Sequence, residues 1–152
     1  MCSSKEEKQR IVAIIKAIEP AYLATCEDNY PRVRPVSPVV EDEMSIWIGT
    51  HSRTRKVKQI EQNPKICLAF VQPPHSAKGE KVAIVYGEAK IIQDIEKKKR
   101  FWKVWSTVYP TFDLKEKFPN GSESSEFCLL KIIVKRIEWR EENEPMKIYK
   151  PK

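Results

Sequence analysis

Apolar residues recur at Ile11, Ile14, Ile15 and Ile18, the i, i+3, i+4, i+7 spacing of one helix face, and Pro20 ends that stretch. Residues 21–26 then read as a strand, closed by the turn-forming Glu27, Asp28 and Asn29. Residues 31–40 hold β-branched side chains, but prolines stand at 31, 35 and 38. Proline cannot donate to a ladder, so this segment is expected as an irregular or edge strand. Residues 44–49 alternate and end at Gly49. Thr50, His51 and Ser52 offer capping groups for a helix through Ile60, with Val57 and Ile60 inward and Asn63-Pro64 as its stop. A strand over 66–71, a loop over 72–80 and a long strand over 82–92 follow, and Gly87 inside the last suggests a bulge or bend. Asp94 caps a basic helix reaching about Ser106, whose Phe101, Val104 and Trp105 form an inward patch. A polar loop with Asn120-Gly121 leads to a final strand over 127–139, and residues 141–152 read as a charged, weakly ordered tail.

The element order is helix, three strands, helix, two strands, helix, strand. Hairpin-like connections without β-α alternation predict a mainly β domain, an antiparallel barrel with helices packed outside it. One domain over residues 1–152, with its core at about 8–139, suits the length. Hydrophobic residues make up 41% and charged residues 32%, with 4 glycines, a composition that excludes collagen, linkers and most disordered chains. Apolar runs are too short to span a bilayer, and the stretch over 11–18 is broken by Lys16. The expectation is a soluble, cytoplasmic protein. Cys2, Cys26, Cys67 and Cys128 stand far apart without a CxxC pair, and His51 and His75 add no ligand-like spacing, so neither a disulfide framework nor a metal site is expected.

Charge changes the picture most. There are 28 Lys+Arg against 21 Asp+Glu, a net charge of +7, which suggests an anionic partner: nucleic acid, a membrane surface or a phosphorylated small molecule. No Walker A loop, GxGxxG, HExxH or GxSxG motif is present. The informative cluster lies between 32 and 58. Arg32 and Arg34 alternate on one strand face, Ser37 lies among the prolines, and Gly49-Thr50-His51-Ser52-Arg53-Thr54-Arg55-Lys56 leads into a helix. Free N–H groups at a helix start, hydroxyls and cations make a candidate monophosphate site. A solvated basic helix face with an ordinary N-cap is the alternative.

The segment LATCEDNYPRVRPVSPVVEDEMSIWIGTHSRTRKVKQIEQNPKICLAF, with VAIVYGEAKIIQD after it, resembles the pyridoxamine 5′-phosphate oxidase-like FMN-binding split barrels, and among them the short, general-stress-protein-like members. The resemblance covers roughly residues 8–139 and rests mainly on R-x-R-P-V and on T-x-S-x-x-R-K followed by N-P. It implies a six-stranded antiparallel split barrel and a homodimer with FMN in clefts at the subunit interface. Arg34 matches the arginine that opens the FMN-contacting strand, and Pro35, Val36 and Ser37 match the stretch lining the isoalloxazine ring. Gly49 and Thr50 match the strand end near flavin and phosphate, and Arg55 and Lys56 match the pair on the phosphate. His51, beside that site, is a candidate donor to the cofactor. Trp139 looks like the aromatic that closes the cleft, with a core or interface tryptophan as the alternative.

The departures limit what carries over. Val39 stands where the true oxidases have a lysine for substrate, and the C-terminal REENEPMKIYKPK holds no Arg-Leu-His-type motif. The resemblance therefore implies a flavin-dependent oxidoreductase of unknown substrate, not a pyridoxamine 5′-phosphate oxidase. Related barrels bind deazaflavin F420 or haem, which gives the first alternative. A basic β-barrel binding single-stranded nucleic acid is a second, although Trp47 and Phe70 lie in apolar strands that favour burial. Trp102, Trp105 and Tyr109, on or after the basic helix, either pack that helix or cover a ring.

Overall fold

The computed structural model describes residues 3–152. Its strands are β1 (Ala21–Glu27), β2 (Tyr30–Val36), β3 (Val39–Val40), β4 (Ile46–His51), β5 (Lys65–Gln72), β6 (Lys81–Ile92), β7 (Phe127–Glu141) and β8 (Lys147–Tyr149). Its α-helices are α1 (Ser4–Ala17), α2 (Arg55–Gln62), α3 (Ile95–Val108) and the single turn α4 (Leu114–Lys117). Every pairing is antiparallel, in the order β2-β1-β5-β6-β7-β4-β3 with β8 beside β7. The expected antiparallel sheet with flanking helices is what the chain forms. It has eight strands where six were expected, the additions being the short β3 and β8.

The sheet does not close, yet its two edge strands are consecutive in the chain. Only Ser37 and Pro38 separate the end of β2 from the start of β3, so the sheet must curl until its edges meet at a seam. Pro31 and Pro35 lie four residues apart, which puts both missing N–H groups on the same side of β2. The strand keeps an unbroken register with β1 from Tyr30↔Glu27 to Val36↔Ala21, so that side is the open one. The prolines keep the seam from zipping shut.

Inside the curl, α1 lays Ile11, Ile14 and Ile15 against Leu68, Phe70, Val85 and Ile137 in one buried cluster. This helix begins well before its apolar stripe because Ser3 and Glu6 form a capping box: the Glu6 N–H donates to Ser3 Oγ at 3.2 Å and the Ser3 N–H to Glu6 Oε2 at 3.0 Å. The bulge suggested by Gly87 is present. Tyr86 faces Arg136 but Gly87 faces Val134, and a Cβ on Gly87 would sit 2.0 Å from the Ile133 carbonyl oxygen.

A second cluster lies outside the sheet, where Phe101 and Trp105 of α3 and Leu114 of α4 meet Trp47, Phe127 and Leu129. Gly49 makes this docking possible, since a Cβ there would lie 2.8 Å from Phe101 and 2.9 Å from Trp105.

Three local expectations change. Thr50 and His51 stay in β4, and α2 starts at Arg55 with Thr54 as N-cap, whose hydroxyl donates to the His51 carbonyl at 3.0 Å instead of capping the helix. The expected weakly ordered tail contributes β8, which pairs Tyr149 with Ile137 and buries it. The expected polar loop after α3 contains α4, begun by Asp113, whose carboxylate accepts the Glu116 N–H at 3.0 Å. No helix among the described residues is long and apolar enough to cross a membrane.

Candidate functional site

Beside the seam, β2, β4 and the start of α2 converge on two adjoining cavities that share Thr54 and Lys56. The more polar one, about 520 Å³, is lined by Arg32, Val33, Arg34, Arg55 and Gln59 besides the shared pair. The other, about 510 Å³, takes one wall from Pro35, Val36 and Ser37 and its floor from Ile48, Gly49, Thr50 and His51. Its remaining wall comes from Trp105, Phe112, Leu114, Lys117 and Phe118.

A frame of neutral acceptors holds Arg34. Its guanidinium donates to Thr25 Oγ1 at 2.7 Å and to Gln59 Oε1 at 2.6 Å, while the buried Thr25 hydroxyl also donates to Gln59 Oε1 at 2.6 Å. Gln59 in turn donates to Glu27 at 3.2 Å. Lys56 donates to Thr50 Oγ1 at 2.9 Å. Among the described residues, none of Arg34, Arg55 and Lys56 forms an ion pair. Burial, then the positive charges of Arg55 and Arg32, lowers the pKa of Arg34. Burial and then Arg34 lower that of Lys56. Cations arranged to repel one another, at a helix start with free N–H groups, gain stability from a bound anion.

His51 lies on the cavity floor. Its Nδ1 accepts the Arg53 backbone N–H at 3.2 Å, and its ring stacks on Phe118 with centroids 6.0 Å apart. That hydrogen bond assigns the proton of the neutral ring to Nε2, so the free nitrogen is a donor. Tyr109 fastens the end of α3 to the seam by donating to the Pro38 carbonyl at 3.1 Å.

Nine of the ten residues marked in the sequence come together here: Arg34 and Arg55 in the polar cavity, Pro35, Val36, Ser37, Gly49, Thr50 and His51 in the other, and Lys56 in both. Trp139 does not join them. It is 1% exposed in the main core, its Nε1 donates to Glu7 at 3.0 Å, and Arg10 lies over its ring at 4.9 Å. Val39 is buried under α3 and offers no polar group. Arg53 is exposed and contributes its backbone rather than its charge.

Sequence reasoning missed Gln59, whose role depends on Thr25 and Arg34 reaching it from another strand pair. It also missed Phe112, Leu114, Lys117 and Phe118. The signal for these was Asp113 three residues before Glu116, with apolar residues on either side.

The description pyridoxamine 5′-phosphate oxidase belongs to a family model that matches residues 7–140 of this chain. No curated protein matches it in sequence. Among solved structures it is similar to General Stress Protein 26 from Bacillus anthracis, with 20% identity, TM-score 0.71, and 95% of this chain and 98% of that one covered. It is similar to a NimC/NimA family protein from Clostridium acetobutylicum, with 19% identity, TM-score 0.74, and 96% and 93% covered. A haem-binding protein from Mycobacterium smegmatis shares 15% identity with TM-score 0.68, over 99% of this chain and 59% of that one.

Proposed function

The chain belongs to the pyridoxamine 5′-phosphate oxidase family, and we propose that it binds FMN as a cytoplasmic flavin-dependent oxidoreductase whose substrate is not pyridoxamine 5′-phosphate. The observation that carries this reading is the trio Arg34, Arg55 and Lys56, three cations without a carboxylate partner among the described residues at the junction of two cavities. Arg55 and Lys56 hold the phosphate, with Arg34 braced by Thr25 and Gln59 behind them. Pro35, Val36 and Ser37 line one side of the ring site, and Gly49, Thr50 and His51 its floor. When bound, the flavin supplies the redox chemistry, taking up and passing on a hydride. The protein positions it, keeps water from its ring and offers the His51 Nε2–H as a donor.

The unit that does this is a homodimer. Residues Val33, Ala24, Cys67 and Tyr86 form one row across β2, β1, β5 and β6, and Pro35, Tyr22, Ala69 and Ile84 form the next. Both rows face away from the main core, with Val33 65% and Tyr22 44% exposed. A second copy seated there would close the polar cavity, which Val33 also lines.

Haem is the competing cofactor, and His51 is the ring positioned to face it. The hydrogen bond on Nδ1 leaves the proton on Nε2, which makes that nitrogen a donor rather than an iron ligand. The visible spectrum of the purified protein separates the readings. A flavin spectrum with FMN released on denaturation is expected, whereas a Soret band or a deazaflavin spectrum would redirect the cofactor. Arg55→Ala with Lys56→Ala should weaken FMN binding by about a hundredfold, since each charge-assisted contact is worth roughly a factor of ten. Unchanged affinity in a fluorescence titration would show that the phosphate lies elsewhere.

A further inference from the structure

Away from both cavities, cations from the sheet and from α3 gather on the outer face around Trp47. Lys131 of β7 lies directly opposite Trp47 of β4 on one side and Lys90 of β6 on the other. Its ammonium stands 5.0 Å from the Trp47 ring centroid. Lys97 and Arg100 of α3 border the same tryptophan. Lys98 holds its ammonium over Phe127, 5.3 Å from the centroid, and Lys103 is exposed further along the helix.

The carboxylates within reach do not neutralise this group. Glu41 accepts from Trp47 Nε1 at 2.8 Å and pairs with Arg100, while Glu123 pairs with Lys99 at 3.4 Å. Glu43, Glu88 and Glu96 form no ion pair among the described residues, and neither do Lys90, Lys97, Lys98, Lys103 and Lys131. Like charges directly opposite on neighbouring strands destabilise a sheet. The Lys90–Lys131 pair is such a case, and an anionic surface laid over it would relieve the repulsion.

The aromatic and aliphatic side chains of the patch narrow the partner. Stacking of bases needs open aromatic faces, but Trp47 is 7% exposed beneath Lys131 and Phe127 is 2% exposed beneath Lys98. Bidentate reading of base edges or phosphodiesters favours a free arginine, and Arg100 is held by Glu41. Lysines on flexible stems suit a field of headgroup charges without fixed spacing. Aliphatic side chains stand among them: Ile95, one turn before Lys99 and 41% exposed, and the half-buried Ile133, two residues from Lys131 on the same strand face. Such side chains gain by burial at a headgroup boundary and gain nothing on a phosphodiester backbone.

We propose that this face, Lys90 and Lys131 of the sheet with Lys97, Lys98 and Lys103 of α3, docks the protein on an anionic phospholipid surface. The contact is peripheral, with no segment entering the bilayer core, and it leaves Arg34, Arg55 and Lys56 to the cofactor. Lys90 lies beyond Ile84 and Tyr86, the β6 residues in the rows given to the second copy, so a dimer carries the patch twice.

The test is cosedimentation of the full chain with vesicles of phosphatidylcholine, alone or with about 30% phosphatidylserine. Binding is expected to the second kind only, falling at least about tenfold as salt rises from about 50 to about 500 mM. Each lysine near such a surface is worth about fivefold, so Lys97→Gln should weaken binding by about that factor and Lys90→Gln with Lys131→Gln by about twenty-fivefold. Lys5→Gln with Lys78→Gln removes the same charge from exposed positions elsewhere and should change binding by less than about twofold. Ile95→Gln should weaken vesicle binding by about threefold. No binding to the anionic vesicles, equal binding to the neutral ones, or equal losses from the two double variants would each overturn the proposal. So would a DNA duplex held through Lys90 and Lys131 by a protein that leaves the vesicles alone.

Discussion

Cys128 sits on β7 opposite Thr50, and burial pushes its thiol up to about 11. At pH 8 only about one such thiol in a thousand is then ionised, and the thiolate is the reactive form. Iodoacetamide with peptide mapping should therefore label the exposed Cys26 in the folded protein and leave Cys128 unmodified; rapid labelling of Cys128 would contradict its burial. Tyr109 is pushed up to about 12, by burial first and then by the Glu19 carboxylate. Both are acids whose neutral form the fold prefers. Their contribution is complete below the unfolded values, near 9 and 10, and is lost as pH rises through about 11 and 12. Lys56 acts in the opposite sense, because its pKa is lowered in the fold and its burial as a cation counts against folding until it loses its proton. The advantage of the parent protein over Tyr109→Phe in thermal midpoint should thus shrink between pH 10 and 12. A difference independent of pH would show that Tyr109 is not buried as described. At this scale the cations and hydroxyls of the site were legible because their chemistry is intrinsic. Gln59 was not, since a glutamine on a helix becomes an acceptor for an arginine only when another strand brings that arginine to it.

Among the elements, α3 depends on a single missing side chain. Gly49→Ala would place a methyl group 2.8 Å from Phe101 and 2.9 Å from Trp105, which should cost about 1–3 kcal/mol by overpacking. Phe101→Leu in the same chain should restore part of that loss, measured by urea denaturation, and strictly additive losses would show that the two positions are not in contact. The resemblance assigned Gly49 to the cofactor's approach; in the fold it lines the cavity and also leaves room for the two aromatic rings of α3. The apolar stripe and Pro20 disclosed α1, and Gly87 its bulge. The start of α2 was misjudged, because hydroxyls at 50, 52 and 54 all look like caps and only the pairing of His51 with Phe127 settles that the strand continues. α4 was missed since one helical turn has no periodicity; it holds because Leu114 and Phe118 have a cluster to enter.

For the whole molecule, the proposed dimer would cover the outward rows on β2, β1, β5 and β6 and complete the polar cavity. Val33→Glu should shift the protein to monomer in sedimentation velocity and weaken FMN binding with it. A variant that remains dimeric would place the interface on another face. The sequence by itself determined six strands and three helices, the antiparallel class and the charges gathered near one helix start, because periodicity, turn residues and ionic character are local. Tertiary structure alone decided that Trp139 is a core residue under α1, that Val39 is sealed beneath α3, and that a segment read as loop forms the aromatic wall of the cavity. Each of these depends on which distant strand lies alongside. The curl of the sheet, which joins its two edges at Ser37 and Pro38, sets that pairing.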